Sequence, residues 1–129
     1  MIRQGYVGND WRPTVKDCDS KIRTAKALLE KGLWSPAEVQ SLESNWQELD
    51  LYTQDERNLA ISNALSEIKA TQYQGAKPPR RSTKDRDRDR ELYSFCWSSE
   101  KFGMKMYFKF TIAADNNYMF VHSIHEARK

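Results

Sequence analysis

The 129-residue chain is predicted to fold as an α+β domain in which three N-terminal helices pack on a C-terminal antiparallel β-meander. Three observations point there. Between Val15 and Ile68 apolar residues recur at three- and four-residue steps, in blocks set off by helix start and stop signals. After Glu91 the period changes to two. The alternating segments are joined by only a few turn-forming residues, which suits antiparallel neighbours.

The first helix carries Val15, Cys18, Ile22, Ala25 and Leu29 on one face, and Gly32 supplies its stop. The second is expected to open at Ser35-Pro36-Ala37-Glu38, which reads as a capping box with proline at the first helical position. Val39, Leu42, Trp46 and Leu49 then share a face. The third opens at Thr53-Gln54-Asp55-Glu56, a second capping box, and continues with Leu59 or Ala60, Ile61, Ala64, Leu65 and Ile68. Tyr73 to Arg81 contains paired prolines and is expected to be a loop. The run from Lys84 to Glu91 alternates charge without an apolar face, so it is expected to be solvated and flexible. Leu92 to Trp97, Met104 to Ile112 and Tyr118 to Glu126 read as strands, with turns at Ser98 to Gly103 and Asp115 to Asn117. The expected organisation is one domain over residues 1–129. Residues 1–70 form the helical part, 71–91 a basic Pro/Arg-rich loop and 92–129 the meander.

Composition narrows the function classes. Charged residues are 30% and apolar ones 39%, which suits a chain that buries a core and argues against disorder. No apolar run is long enough to span a bilayer, and Met1 to Gly5 lacks the apolar core of a signal peptide, so a cytoplasmic protein is expected. Cys18 and Cys96 lie far apart, without metal-ligand spacing, and are expected to be buried free thiols. Residues 1–70 carry 9 Lys/Arg against 11 Asp/Glu, whereas residues 71–129 carry 12 against 7. The cationic half is the half with the strands, which suits a polyanion such as RNA. Walker, Rossmann, zinc and nucleophile-elbow motifs are absent, so no cofactor or metal is implied.

The chemistry that remains lies on the Met104 to Ile112 strand. Met104, Met106, Phe108, Phe110 and Ile112 form its core face, while Lys105, Tyr107, Lys109 and Thr111 form the other. Two ammonium groups flank a phenol, which suits a phosphate chain. Such a face is also what an ordinary solvated strand presents. Metal-free RNA cleavage needs a base for the 2′-hydroxyl, an acid for the leaving 5′-oxygen and cations for the phosphorane. His125 is the natural acid or base, since an unperturbed imidazole titrates near working pH. Tyr107 would share proton transfer or orient the phosphate, with Lys105, Lys109, Arg80, Arg81 or Lys77 neutralising charge. By simple alternation His122 sits with Phe120 and Ile124 and is expected to be a satisfied, partly buried histidine. His125 sits with Met119, Val121 and Ser123 near the strand end, so joint metal ligation by the two histidines is not expected.

Gly103-Met104-Lys105-Met106-Tyr107-Phe108-Lys109-Phe110-Thr111-Ile112, followed by Phe120-Val121-His122-Ser123-Ile124-His125-Glu126, resembles the C-terminal hairpin of MqsR-family toxins. These are RelE-like ribonucleases of bacterial toxin–antitoxin systems. The resemblance spans about 24 residues, and the order of helices then sheet agrees with it. It implies a RelE/MqsR-like fold and a metal-independent endoribonuclease that cuts single-stranded mRNA, with a cognate antitoxin protein as partner. It puts the family's catalytic tyrosine on Tyr107 and its C-terminal catalytic lysine on His125. Ser94 stands where the family has an active glutamine, and the loop from Lys77 to Arg81 stands where it has a basic residue. The Pro-Pro and Arg-Asp segment has no counterpart there. The site expected is therefore Tyr107, His125 and Lys109 for catalysis, with Lys77, Arg80, Arg81, Lys105 and Ser94 binding RNA. The alternative is a non-catalytic antitoxin, immunity or phage-encoded inhibitor protein that binds RNA or an acidic partner through the same face.

Overall fold

Thr14 opens the first helix, α1 (Val15–Glu30): its hydroxyl accepts from Asp17 N at 3.0 Å, and the Asp17 carboxylate accepts from Thr14 N at 3.0 Å. Cys18, Ile22, Ala25 and Leu28 are its buried stripe, Val15 is exposed, and Gly32 at φ 72° ends the helix as expected. These features come from a computed structural model that describes residues 11–128. Met1 to Gly5, read above for a signal peptide, lie outside the described residues.

The expected start of the second helix is a strand. β1 (Trp34–Pro36) takes up Ser35 and Pro36, and α2 (Val39–Glu48) begins later, with Glu38 as an N-cap that makes no side-chain cap bond. Tertiary pairing overrides the local capping signal here, because β1 runs parallel to the last strand and matches Trp34 to Met119 and Pro36 to Val121. An edge strand is where a sheet tolerates a residue without an N–H. The third helix, α3 (Gln54–Glu67), opens at the expected capping box of Thr53 and Glu56 and buries Ala60, Ile61, Ala64 and Leu65, leaving Leu59 exposed. A 3₁₀ turn, Ala70–Gln72, follows.

β2 (Tyr93–Ser99), β3 (Met104–Ile112) and β4 (Met119–Glu126) form the antiparallel meander. The sheet order is β1-β4-β3-β2, so the sheet is four-stranded and mixed rather than a pure meander. Its inner face contributes Phe95, Phe108, Phe110, Met106, Met119, Val121 and Ile124 to one continuous core with the helices. Burying each of the phenylalanines is worth about 1.5–3 kcal/mol. β1 covers only the start of the β4 edge. Further along, α2 satisfies that edge with side chains: Ile124 N donates to Asn45 Oδ1 at 2.9 Å and Glu126 N to Glu48 Oε2 at 3.0 Å.

Two local features shape the outer face. In β4, Ser123 pairs with Lys109 but the next pair is Val121 with Phe110, so His122 is the extra residue of a β-bulge. The bulge overturns the alternation expected for this strand: Ile124 joins Met119 and Val121 in the core, while His122 and His125 both leave it. The second feature is the Lys84 to Glu91 run, which is solvated at Asp85, Arg86, Arg88 and Asp89 as expected but is folded against the sheet rather than free. Asp87 is 3% exposed and sits over the sheet, and Arg86 Nη1 donates to Pro36 O at 3.1 Å. Ser82 N donates to Arg90 O at 2.8 Å and Asp89 N to Ser82 O at 2.9 Å, closing the segment on itself. One end of the outer face is thus roofed, which is why Thr111 is fully buried although it points away from the core. Among the described residues no helix is long and apolar enough to cross a membrane.

Candidate functional site

Antiparallel pairing lines up the outward side chains in rows across the open end of the sheet. Cys96, Tyr107 and His125 form one row, and Ser94, Lys109 and Ser123 the next. Adjacent strands lie about 4.8 Å apart, so each row brings three side chains within reach of one small ligand. The Tyr107 and His125 rings stack at 5.2 Å between centroids and 24° between planes. Among the described residues the Tyr107 hydroxyl makes no hydrogen bond.

Two partners compete for Nδ1 of His125. Glu126 O lies 2.7 Å away and calls for a protonated nitrogen, whereas Arg128 Nη1 donates to the same atom and calls for a bare one. Glu48 holds Arg128 in place at 2.9 Å. Nε2 of His125 is left as the atom available to a ligand.

Beside this pair lies a pocket of about 400 Å³ lined by Arg80, Ser94, Tyr107 and Lys109, with Gln74, Gly75 and Ala76 closing one side. Four of the expected site residues therefore converge, and His125 abuts them through Tyr107. The others do not join them. Lys105 lies one row further out, opposite Ser98. Lys77 is exposed, and Arg81 lines a separate cavity with Lys21, Arg90 and Glu91. The loop from Lys77 to Arg81 thus contributes Arg80 alone to this pocket. Cys96, half-buried in the Tyr107 row, is a free thiol on the outer face rather than in the core, whereas Cys18 is buried as expected.

Lys109 is the electrostatic centre. It is partly buried, makes no ion pair among the described residues, and borders a second cavity lined by Lys84, His122, Ser123 and Glu38. Burial, and then the charge of Lys84, pull its ammonium below the ordinary lysine value. A desolvated cation without a counter-ion is stabilised by any anion that enters.

Asp87 and His122 were not legible as a unit in the sequence. Nε2 of His122 donates to Asp87 Oδ2 at 2.6 Å, and the same carboxylate accepts from Ser82 Oγ at 2.5 Å and from Thr111 Oγ1. Burial alone would raise the Asp87 carboxyl, but these three bonds outweigh it and hold the group below the usual carboxylate range. For His122 burial lowers the imidazole more than Asp87 raises it, and Lys109 and Lys84 lower it further. The pair at neutral pH is a carboxylate and a neutral imidazole. The only sequence signal was an aspartate repeated among arginines, which does not say which one turns inward.

Among the described residues no cluster of three or more His, Cys, Asp or Glu side chains can hold a metal ion. Comparison of the chain with protein-family models, with curated proteins and with solved structures finds no match.

Proposed function

We propose that the outer sheet face is the active site of a metal-independent endoribonuclease of toxin–antitoxin type, with a RelE/MqsR-like arrangement and single-stranded mRNA as substrate. The observation that supports it most is the convergence of Tyr107, stacked on His125, with the half-buried Lys109 and with Arg80 around one pocket. In this reading the 2′-oxygen of the substrate attacks the adjacent phosphorus and the bond to the 5′-oxygen breaks, leaving a 2′,3′-cyclic phosphate. His125 Nε2 takes the 2′-hydroxyl proton, and the Tyr107 hydroxyl gives its proton to the leaving 5′-oxygen. Lys109 and Arg80 neutralise the phosphorane, and burial makes the lysine charge count for more than it would in water. The enzyme would act in the cytoplasm, held in check by an antitoxin protein.

The test is purified protein with single-stranded RNA in EDTA. Products ending in 2′,3′-cyclic phosphate support the reading; cleavage that EDTA abolishes overturns it. A second reading, a non-catalytic interaction protein that uses the same face, draws on the half-buried ring stack, which offers a platform for a base or a partner side chain. Under it RNA binds but stays intact, and reversing the charge of Lys105 and Lys109 abolishes binding.

A further inference from the structure

The cavity on the far side of Lys109 has no role in the chemistry above. Its volume is about 200 Å³, and Lys84, Lys109, His122, Ser123 and Glu38 line it. Two ammonium groups from unrelated parts of the chain meet there. Lys84 is brought by the folded 84–91 segment and Lys109 by β3. Among the described residues Glu38 is the only carboxylate in its wall, and it is already occupied by Lys84 Nζ at 2.9 Å and by the Ser41 hydroxyl. An ammonium has three donors, so Lys84 keeps two for another acceptor. The Ser123 hydroxyl makes no hydrogen bond among the described residues, and Asp87, behind the imidazole, does not border the space.

We propose that this cavity is a phosphate subsite, in which an anion sits between Lys84 and Lys109 with the Ser123 hydroxyl as a further donor and His122 as its floor. Lys109 then serves two successive phosphates of one strand, one on each side of it. The two pockets are separated by the single β3 strand, so the subsites lie within roughly 10 Å of each other, two strand spacings. The identity of the polyanion rests on the ribonuclease reading; the subsite itself does not. His122 records its occupancy. With Nε2–H committed to Asp87, Nδ1 carries a lone pair, so an anion beside it favours proton uptake there. Asp87 and Glu38 favour the charged ring and Lys84 and Lys109 oppose it, and an entering phosphate dianion tips that balance.

The experiment uses the full chain and inorganic phosphate, with sodium chloride at matched ionic strength as control. The His122 ring signals are followed by NMR and assigned with His125→Gln. A saturable shift with phosphate but not chloride, together with an upward move of the His122 titration midpoint, is expected. Lys84→Met should weaken phosphate binding at least tenfold. Ser123→Ala, a milder change, should weaken it by a factor of roughly 3–10, the cost of one hydrogen bond. With 2′-deoxy oligonucleotides, which cannot be cleaved, Lys84→Met should lower the salt dependence of binding by about 0.7 in slope, one phosphate contact fewer. An unresponsive His122, or unchanged phosphate affinity in both variants, overturns the subsite. If RNA is cleaved in EDTA while His122 stays silent, the subsite fails and the ribonuclease stands. If phosphate binds at His122 while RNA stays intact, the reverse holds.

Discussion

Replacing Asp87 with alanine removes the carboxylate on which Ser82, Thr111 and His122 all converge in a site 3% exposed to solvent. Taking the acceptor away leaves two hydroxyls and one imidazole N–H without a partner in a dry site; at about 1–3 kcal/mol for each unsatisfied group, less what relaxation recovers, the loss is about 3–5 kcal/mol. A domain of this size has about 5–15 kcal/mol in all, so the loss is a large share of its stability. At about 3–5 °C per kcal/mol for a chain between the small and large size classes, Tm should fall by roughly 10–25 °C. Asp87→Asn keeps the shape but turns an amide donor toward other donors, and should cost about 1–3 kcal/mol. Urea titration gives the free energies. Limited trypsin digestion adds a local readout, since Arg86, Arg88 and Arg90 lie on the segment that Asp87 pins to the sheet. Cleavage there should accelerate in the alanine variant before global unfolding begins. An alanine variant within about 1 kcal/mol of wild type, with unchanged trypsin sensitivity, would refute the view that this carboxylate holds the segment in place.

Three further outcomes follow from particular contacts. The folded His122 value lies below its ordinary 6.5 and the folded Asp87 value below 3.8, so in each window the unfolded chain takes up the proton first. Stability should thus be full above about pH 6.5, decline as pH falls below it, and decline again below about 3.8; thermal melts from pH 8 to pH 3 should show the first step, and His122→Gln should remove it. Glu67 accepts from Trp97 Nε1 at 2.9 Å, Ser99 Oγ at 2.6 Å, Glu100 N at 3.0 Å and Lys101 N at 3.0 Å, tying the end of α3 to the β2–β3 turn. Glu67→Ala should cost about 1–3 kcal/mol by urea titration and loosen that turn in hydrogen exchange. Gly32→Ala forces a side chain into φ 72° and should cost about 1–2 kcal/mol in the same assay, although nothing lies within 4 Å of the added carbon.

Sequence carried the fold where local signals and tertiary demands agree. The Thr53 capping box and the Gly32 stop appear where their side-chain chemistry requires, and β3 runs over Met104–Ile112 as its alternation says. It failed where a partner far along the chain decides. Ser35 and Pro36 carry a helix-start signal, but the free edge of β4 takes them as a strand. The bulge at His122 leaves no trace in composition, yet it turns both histidines to the outer face and makes simple alternation misplace Ile124. Of the site, the strand-borne part was legible, because period two fixes Tyr107 and Lys109 on one face. Which loop cations reach that face was not, because it depends on how residues 77–91 cross the sheet: Arg80 arrives, Lys77 and Arg81 do not, and Lys84 arrives at the second cavity.

The rate of RNA cleavage in EDTA by wild type, Tyr107→Phe, His125→Ala and the double variant, all with matched Tm, tests most directly whether Tyr107 and His125 act as one site. Groups that act as a unit lose most of their effect together. Each single change should slow cleavage by about 10²-fold or more, and the double variant should be little slower than the worse single one. Wild-type rates in both single variants, or folded wild-type protein that leaves RNA intact, would contradict the assignment.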